Sequence, residues 1–102
     1  MDLKPGVKIG GISPELVLAI VVVSEIFRQN NASPFMVTSV TDGKHSEKSL
    51  HYRGLAIDVR TRHLTDWKQR EIVSMVKIAL GLDFDVVLED DHLHIEFDPK
   101  ET

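Results

Sequence analysis

The stretch SLHYRGLAIDVR, residues 49–60, decides the interpretation of this chain, because a strand pattern and a metal-ligand pattern overlap in it. Leu55, Ile57 and Val59 share one side of a predicted β-strand, and Asp58 lies on the other side. The stretch therefore predicts a strand with one buried face and one polar face.

A second stretch, EDDHLHIEF at residues 89–97, also predicts a strand with one apolar and one polar face. Its apolar and polar residues alternate, with Leu93, Ile95 and Phe97 on one face and His92, His94 and Glu96 on the other. If the polar faces of the two strands adjoin, Asp58 and His94 converge. His51, in the loop just before the first strand, can then complete a trio.

Two neutral imidazoles and one carboxylate form the ligand set that zinc accepts in catalytic sites, where the fourth position stays open. Magnesium and calcium prefer oxygen ligands, and the chain has no cysteine. If a metal binds here, this ligand set favours zinc, and the small residues Gly54 and Ala56 would allow close approach. Histidines on the polar face of a strand are also common surface groups, so spacing alone leaves both interpretations open.

Composition limits the remaining possibilities. A chain of 102 residues fits a single domain, residues 1–102, and 42% hydrophobic with 27% charged residues is typical of a globular protein. The net charge of -4 argues against nucleic-acid binding, which needs a clustered basic surface. We expect a monomer.

The apolar run at residues 16–23 is far shorter than the roughly 20 residues of a membrane-spanning helix. No small-residue cleavage site follows it, so it predicts a centrally packed helix instead of a secretory signal. We therefore expect no membrane association and a protein that is cytoplasmic as synthesised.

The pattern of apolar residues, caps and turn residues predicts two helices and four strands. The first helix begins after Ser13 and the second ends at Gly81, with Trp67 interpreted as a packing aromatic. The predicted helices are 14–30 and 65–80, and the predicted strands are 35–40, 55–59, 84–88 and 92–97. The order predicts an α+β domain in which helices pack on a small, mainly antiparallel sheet.

The first stretch also carries the pattern Ser-x-His-x-x-Gly-x-Ala-x-Asp, and Asp-His-x-His follows downstream. The matching residues are Ser49, His51, Gly54, Ala56 and Asp58. Together the two motifs resemble the zinc peptidases of the D-alanyl-D-alanine carboxypeptidase and L-alanyl-D-glutamate endopeptidase family. The resemblance covers residues 36–99 and implies the hedgehog-like peptidase fold.

The resemblance also implies a role for each matching residue. His51, Asp58 and His94 would hold the zinc. Asp91 would be the general base that takes a proton from the attacking water and passes it to the leaving amine. His92 would stabilise the oxyanion that forms at the peptide carbonyl.

A shifted frame exists, because Glu89 precedes His92 by the same three positions that separate Asp91 from His94. In that frame His92 is the ligand, Glu89 is the base and His94 is secondary. The family places its ligand second in the His-x-His pair, which favours Asp91 with His94.

The chain departs from the family in one respect. Members carry an arginine before the first ligand that binds a substrate carboxylate, and residues 38–49 contain none. Lys48 and Arg53, together with Ser49 and Lys44, are candidate substrate-binding residues, but lysine lacks the planar fork of arginine. An endopeptidase is therefore slightly favoured over a carboxypeptidase.

The function implied is a zinc-dependent peptidase that hydrolyses peptide bonds in peptidoglycan stem peptides, acting on the cell wall when released, as a phage lysis enzyme would be. The alternative is a non-catalytic binding module that keeps the zinc and the fold. Turnover separates the two.

Overall fold

The computed structural model describes residues 2–3, 13–42 and 55–99. Its elements, in chain order, are β1 (Asp2–Leu3), α1 (Pro14–Gln29), β2 (Met36–Asp42), β3 (Leu55–Arg60), α2 (Asp66–Leu80), β4 (Phe84–Leu88) and β5 (His92–Phe97). The predicted helices and strands are all present, with ends that differ from the prediction by at most two residues.

The sheet has the strand order β1-β2-β3-β5-β4. Strands β2, β3, β5 and β4 pair antiparallel, whereas the two-residue β1 runs parallel to β2. Strands β4 and β5 form a hairpin, and the backbone N–H of Glu89 closes it by donating to the carbonyl of His92 at 2.8 Å. The chain is therefore an α+β fold with a mainly antiparallel sheet, as the sequence predicted.

Helix α1 begins where the sequence predicted. The Ser13 side chain accepts a hydrogen bond from the backbone N–H of Leu16 at 3.2 Å, and Pro14 occupies the first turn, where its missing N–H costs nothing. Asn30 caps the other end, where Arg28 complements the negative end of the helix dipole.

The predicted central packing of α1 is wrong for half of the helix. One face is buried in the core, but Val17, Leu18 and Val21 remain 47%, 64% and 61% exposed. The helix packs on α2 and on one face of the sheet, so a single stripe of it is covered. No helix in the described ranges is both long and apolar enough to cross a bilayer.

Helix α2 begins one residue after its predicted start and ends at the predicted residue. The Thr65 side chain accepts a bond from the N–H of Lys68, and Gly81 ends the helix with a φ of 82°, a conformation that favours glycine. Ile72 and Val76 are fully buried against the sheet. These contacts orient α2 over β4.

Trp67 is not a packing residue, contrary to the prediction. It is 63% exposed, and the Lys68 ammonium lies 5.5 Å from its ring centroid. At about 100° per residue, Trp67 lies on the side of the helix opposite Val76, which faces the sheet. The apolar character of Trp67 therefore predicted burial for a side chain that lies on the exposed side of the helix.

The sheet has one apolar and one polar face, as the alternation predicted. Ile57 and Val59 of β3 and Leu93 and Ile95 of β5 are fully buried under the two helices, in one cluster with Phe27. The side chains between them along each strand point to the other face. That second face carries the polar residues of the two quoted stretches.

Candidate metal centre

Strand register brings Asp58 and His94 together. The two residues are directly paired between β3 and β5, and Arg60 is paired with His92 one step further along the same face. Because side chains alternate along each strand, all four side chains belong to the polar face. The predicted convergence of Asp58 and His94 is confirmed.

Strand β2 adds a third element through an irregularity. Val37 pairs with Val59, but Ser39 pairs with Asp58, so Thr38 is an extra residue in β2. A β-bulge of this kind shifts which residues face each side of the sheet. It places the Ser39 hydroxyl opposite the Asp58 carboxylate.

Both oxygens of the Asp58 carboxylate have partners. Oδ1 lies 2.9 Å from Nδ1 of His94 and 3.6 Å from Nε2 of His92. Oδ2 accepts a hydrogen bond from the Ser39 hydroxyl at 2.7 Å. Asp58 is thus held in one orientation from two neighbouring strands, with a quarter of its side chain (25%) exposed.

Each imidazole has a second carboxylate on its other nitrogen. Nδ1 of His92 lies 2.8 Å from Oδ1 of Asp91, and Nε2 of His94 lies 3.5 Å from Oε1 of Glu96. Histidines that bind metals commonly donate their second ring N–H to a carboxylate, which fixes the ring and the tautomer. The surroundings of both histidines have this form.

His92 and Asp91 each stabilise the charged form of the other side chain. The hydrogen bond to Asp91 raises the pKa of His92 above its ordinary value; partial burial opposes this, and the charges of Asp58, Asp91 and Glu89 add to the rise. The same hydrogen bond lowers the pKa of Asp91, and the charge of Arg62 contributes a small further decrease. The contact therefore stabilises the protonated form of His92 and the ionised form of Asp91 relative to the isolated side chains.

The donor atoms at Asp58 fit zinc. Two ligands of a tetrahedral zinc ion lie about 3.3 Å apart when each bond is about 2.0–2.2 Å long. The separations of 2.9 Å to His94 and 3.6 Å to His92 lie on either side of that distance. Either histidine can therefore share an ion with Asp58 after small movements.

Asp58, His92 and His94 do not together form a compact trio. A metal ion needs ligand atoms that lie close together. Within the described ranges, three residues each bring one ligand atom within 4.8 Å of the other two, and they are Asp85, Glu96 and Asp98. These are carboxylates only, which suits hard cations, and each makes another interaction. A zinc site at Asp58 therefore needs a ligand in addition to one of the two histidines.

The sequence assigned that further ligand to His51, which lies outside the described residues. Lys44, Lys48, Ser49 and Arg53, the candidates for substrate binding, also lie outside them. The predicted residues that the structure does describe, Asp58, Asp91, His92 and His94, are all linked by the contacts above.

The two frames share Asp58 and differ in the histidine that joins it. Asp91 contacts His92, and its backbone carbonyl accepts a bond from the N–H of Thr61 at 3.0 Å, which ties it to the end of β3. Glu89 is exposed in the hairpin turn and acts on His92 through its charge. Of the two candidate bases, Asp91 is thus the one whose carboxylate directly contacts a histidine, and that histidine is His92.

Sequence reasoning missed three residues near the centre. Ser39 contacts Asp58, and Arg60 and Arg62 line a polar pocket of about 220 Å³ together with Thr38, Ser39, Asp58, Asp91 and His92. Arg60 could have been found, because it follows Asp58 by two positions in the same strand and must share its face. Ser39 could not, because its position depends on the bulge.

A larger open groove of about 820 Å³ begins on the opposite side of His94. His94 and Glu96 line one end of it, and it passes over β4 to Ile78 and Leu82 near the end of α2. The centre is therefore accessible from two sides.

Comparisons with protein-family models, curated protein sequences and solved structures find no match to this chain.

Proposed function

We propose that this chain is a zinc-dependent peptidase of the hedgehog-like fold that hydrolyses peptide bonds in peptidoglycan stem peptides. The proposal is supported by the motif that contains His51 and Asp58, and by the motif that contains Asp91 and His94. The observation that carries it is the direct contact of Asp58 with His94, because these residues come from the two separate motifs.

The protein groups have distinct tasks in this proposal. Asp58 and His94 bind the ion with His51, while Ser39 and Glu96 orient the first two of these ligands. Zinc, when bound, polarises the peptide carbonyl and makes a water molecule more acidic. The role of the ligand residues is therefore to hold the positive charge of the ion at a fixed position.

Asp91 and His92 move and neutralise charge. The bond to His92 lowers the pKa of Asp91 and favours the carboxylate form, which accepts a proton from the attacking water. The water oxygen bonds to the carbonyl carbon, the C–N bond breaks, and Asp91 returns the proton to the leaving amine. The bond to Asp91 raises the pKa of His92 and so favours its protonated form, which donates a hydrogen bond to the oxyanion that develops.

The surroundings suit a peptide more than a compact ligand. The 220 Å³ pocket and the 820 Å³ groove open on different sides of the pair formed by Asp58 and His94. An extended chain can lie across the centre with residues on both sides of the cleaved bond. One side of this path is polar and the other is lined by exposed apolar residues.

The test is hydrolysis of purified peptidoglycan fragments by the zinc-loaded protein, with products resolved by mass. We expect release of stem-peptide fragments, loss of activity with a chelator and recovery with zinc. Asp58→Asn, which keeps the shape of the side chain, is the matched inactive variant. Zinc binding and fragment retention without any cleavage would show a binding module and overturn the peptidase proposal.

A further inference from the structure

Arg60 and Arg62 form a cationic pair at the end of β3, beside the candidate centre. Arg60 is half-buried, and its cross-strand partner is His92. Arg62 is exposed and follows Thr61, whose N–H donates to the carbonyl of Asp91. This bond keeps the end of β3 against the hairpin turn, so both arginines line the pocket that contains Asp58.

Neither guanidinium has a carboxylate within 4 Å among the residues that the structure describes, although other cations in the same ranges do. Arg28 pairs with Glu25, and Lys68 pairs with Glu71 at 3.0 Å. The nearby Asp91 carboxylate instead makes its contact with His92. Within the described ranges, no carboxylate therefore occupies the donor fork of either guanidinium group.

The pocket places two cationic side chains beside its carboxylates. Arg60 and Arg62 line it together with Asp58 and Asp91, and a divalent ion at Asp58 would give it an excess of positive charge. A guanidinium group presents a planar fork of donors that matches a carboxylate in two places. The pocket, at about 220 Å³, has room for such a group and a short side chain.

We propose that Arg60 and Arg62 bind a free carboxylate of the substrate peptide next to the cleaved bond, an inference that rests on the proposed peptidase function. The carboxylate belongs to the peptide terminus or to an acidic side chain, since both present the same planar group. The pocket thus selects the substrate and fixes its position relative to His92.

The experiment compares four versions of one peptide that ends in D-alanyl-D-alanine and contains one glutamate. Both carboxyl groups are free in the first version, one or the other is amidated in the second and third, and both are amidated in the fourth. Binding is measured by calorimetry on metal-free protein, and cleavage is measured on zinc-loaded protein. The amidated version that loses affinity identifies the source of the carboxylate.

We expect a preference of about tenfold or more for a free carboxylate, as one charge-assisted contact provides. Arg60→Gln and Arg62→Gln should each reduce it, and the double variant should abolish it. Arg60→Lys should retain only part of this preference, because lysine keeps the positive charge but lacks the planar fork of donors. Arg70→Gln, a surface arginine on α2 outside this pocket, is the matched control and should bind as the wild type does.

In cleavage, the arginine variants should raise KM for the free acid and leave the amidated peptide unaffected. Preference for the free acid that survives in the Arg60 and Arg62 variants, or its loss in Lys48→Ala or Arg53→Ala alone, would overturn the assignment. So would equal binding of acid and amide by the wild type. Arginine-dependent binding without cleavage of any peptide would instead contradict the peptidase function and leave the carboxylate site standing.

Discussion

Asp58 and His94 are paired across two antiparallel strands, and Oδ1 of the aspartate lies 2.9 Å from Nδ1 of the histidine. The apolar face fixes this register, because Ile57 and Leu93 are fully buried beside them under the helices. A slip by one residue would expose that core face. The geometry of the polar centre is therefore maintained by hydrophobic burial on the opposite side of the sheet.

The first prediction is that the chain binds one zinc ion and that His51→Ala, Asp58→Ala and His94→Ala each abolish tight binding. Removal of one ligand leaves two, which make a poor zinc site. Metal analysis after dialysis measures the occupancy. His63→Ala is the control, because His63 is exposed and its Nε2 donates to the carbonyl of Ala32.

His92→Ala tests the frame in the same measurement. If His94 is the ligand, this variant keeps most of its zinc. Full zinc occupancy in His94→Ala, together with loss in His92→Ala, would show that the shifted frame is correct.

The second prediction separates the base from the ligands. Asp91→Asn should retain zinc and lose activity by about 10² to 10⁴, the usual contribution of general acid-base catalysis. Glu89→Gln should have a mild effect, because Glu89 is exposed and has no direct contact with Asp58 or His94 among the contacts of the described chain. An exchange of these two results would identify Glu89 as the base.

Local patterns in the sequence were sufficient for the strands that carry the centre. The alternation in β5 gave its bounds, its buried face and the polar face that carries His94. From the sequence, the pairing of Asp58 with His94 depended on the assumption that their two strands are neighbours. Nothing within either stretch indicates which strands are neighbours in the sheet. The strand order β3-β5-β4 supplies this information.

Longer-range features were not predictable in the same way. The bulge at Thr38 places Ser39 opposite Asp58, and the apolar pattern of β2 does not reveal it. Trp67 and Leu18 were assigned to the core from their hydrophobicity, yet both are exposed because each helix covers only one stripe. Apolar character alone therefore does not indicate which stripe of a helix is covered.

The third prediction concerns the protonation of His92 in metal-free protein. Its pKa should lie above the ordinary 6.5, because the hydrogen bond to Asp91 outweighs partial burial. A raised pKa means that the associated stabilisation is complete below pH 6.5 and is lost as the pH rises through the higher pKa of the folded state. An NMR titration of the imidazole ring measures the pKa directly.

Asp91→Asn should bring the pKa of His92 down, since it removes the largest cause of the increase. Glu89→Gln, which removes only a more distant charge, should lower it less. A pKa of His92 that does not change in Asp91→Asn would contradict the pairing of these two side chains.

The last prediction concerns Ser39, which the sequence did not reveal. Its hydroxyl donates to Oδ2 of Asp58 at 2.7 Å and so leaves Oδ1 directed at the histidines. Ser39→Ala removes this bond and should weaken zinc binding by about 10- to 100-fold, the usual cost of losing a residue that orients a metal ligand. Competition with a chelator of known affinity measures the change.

Ser39→Thr keeps the hydroxyl and should retain more of the affinity than Ser39→Ala. The matched control is Ser74→Ala, an exposed serine in the middle of α2, which should leave the zinc affinity unchanged. A simple loss of fold stability would lower the unfolding temperature of metal-free Ser39→Ala in proportion to the lost affinity. Equal zinc affinity in Ser39→Ala and wild type would show that the bulge in β2 has no part in holding Asp58 for the metal.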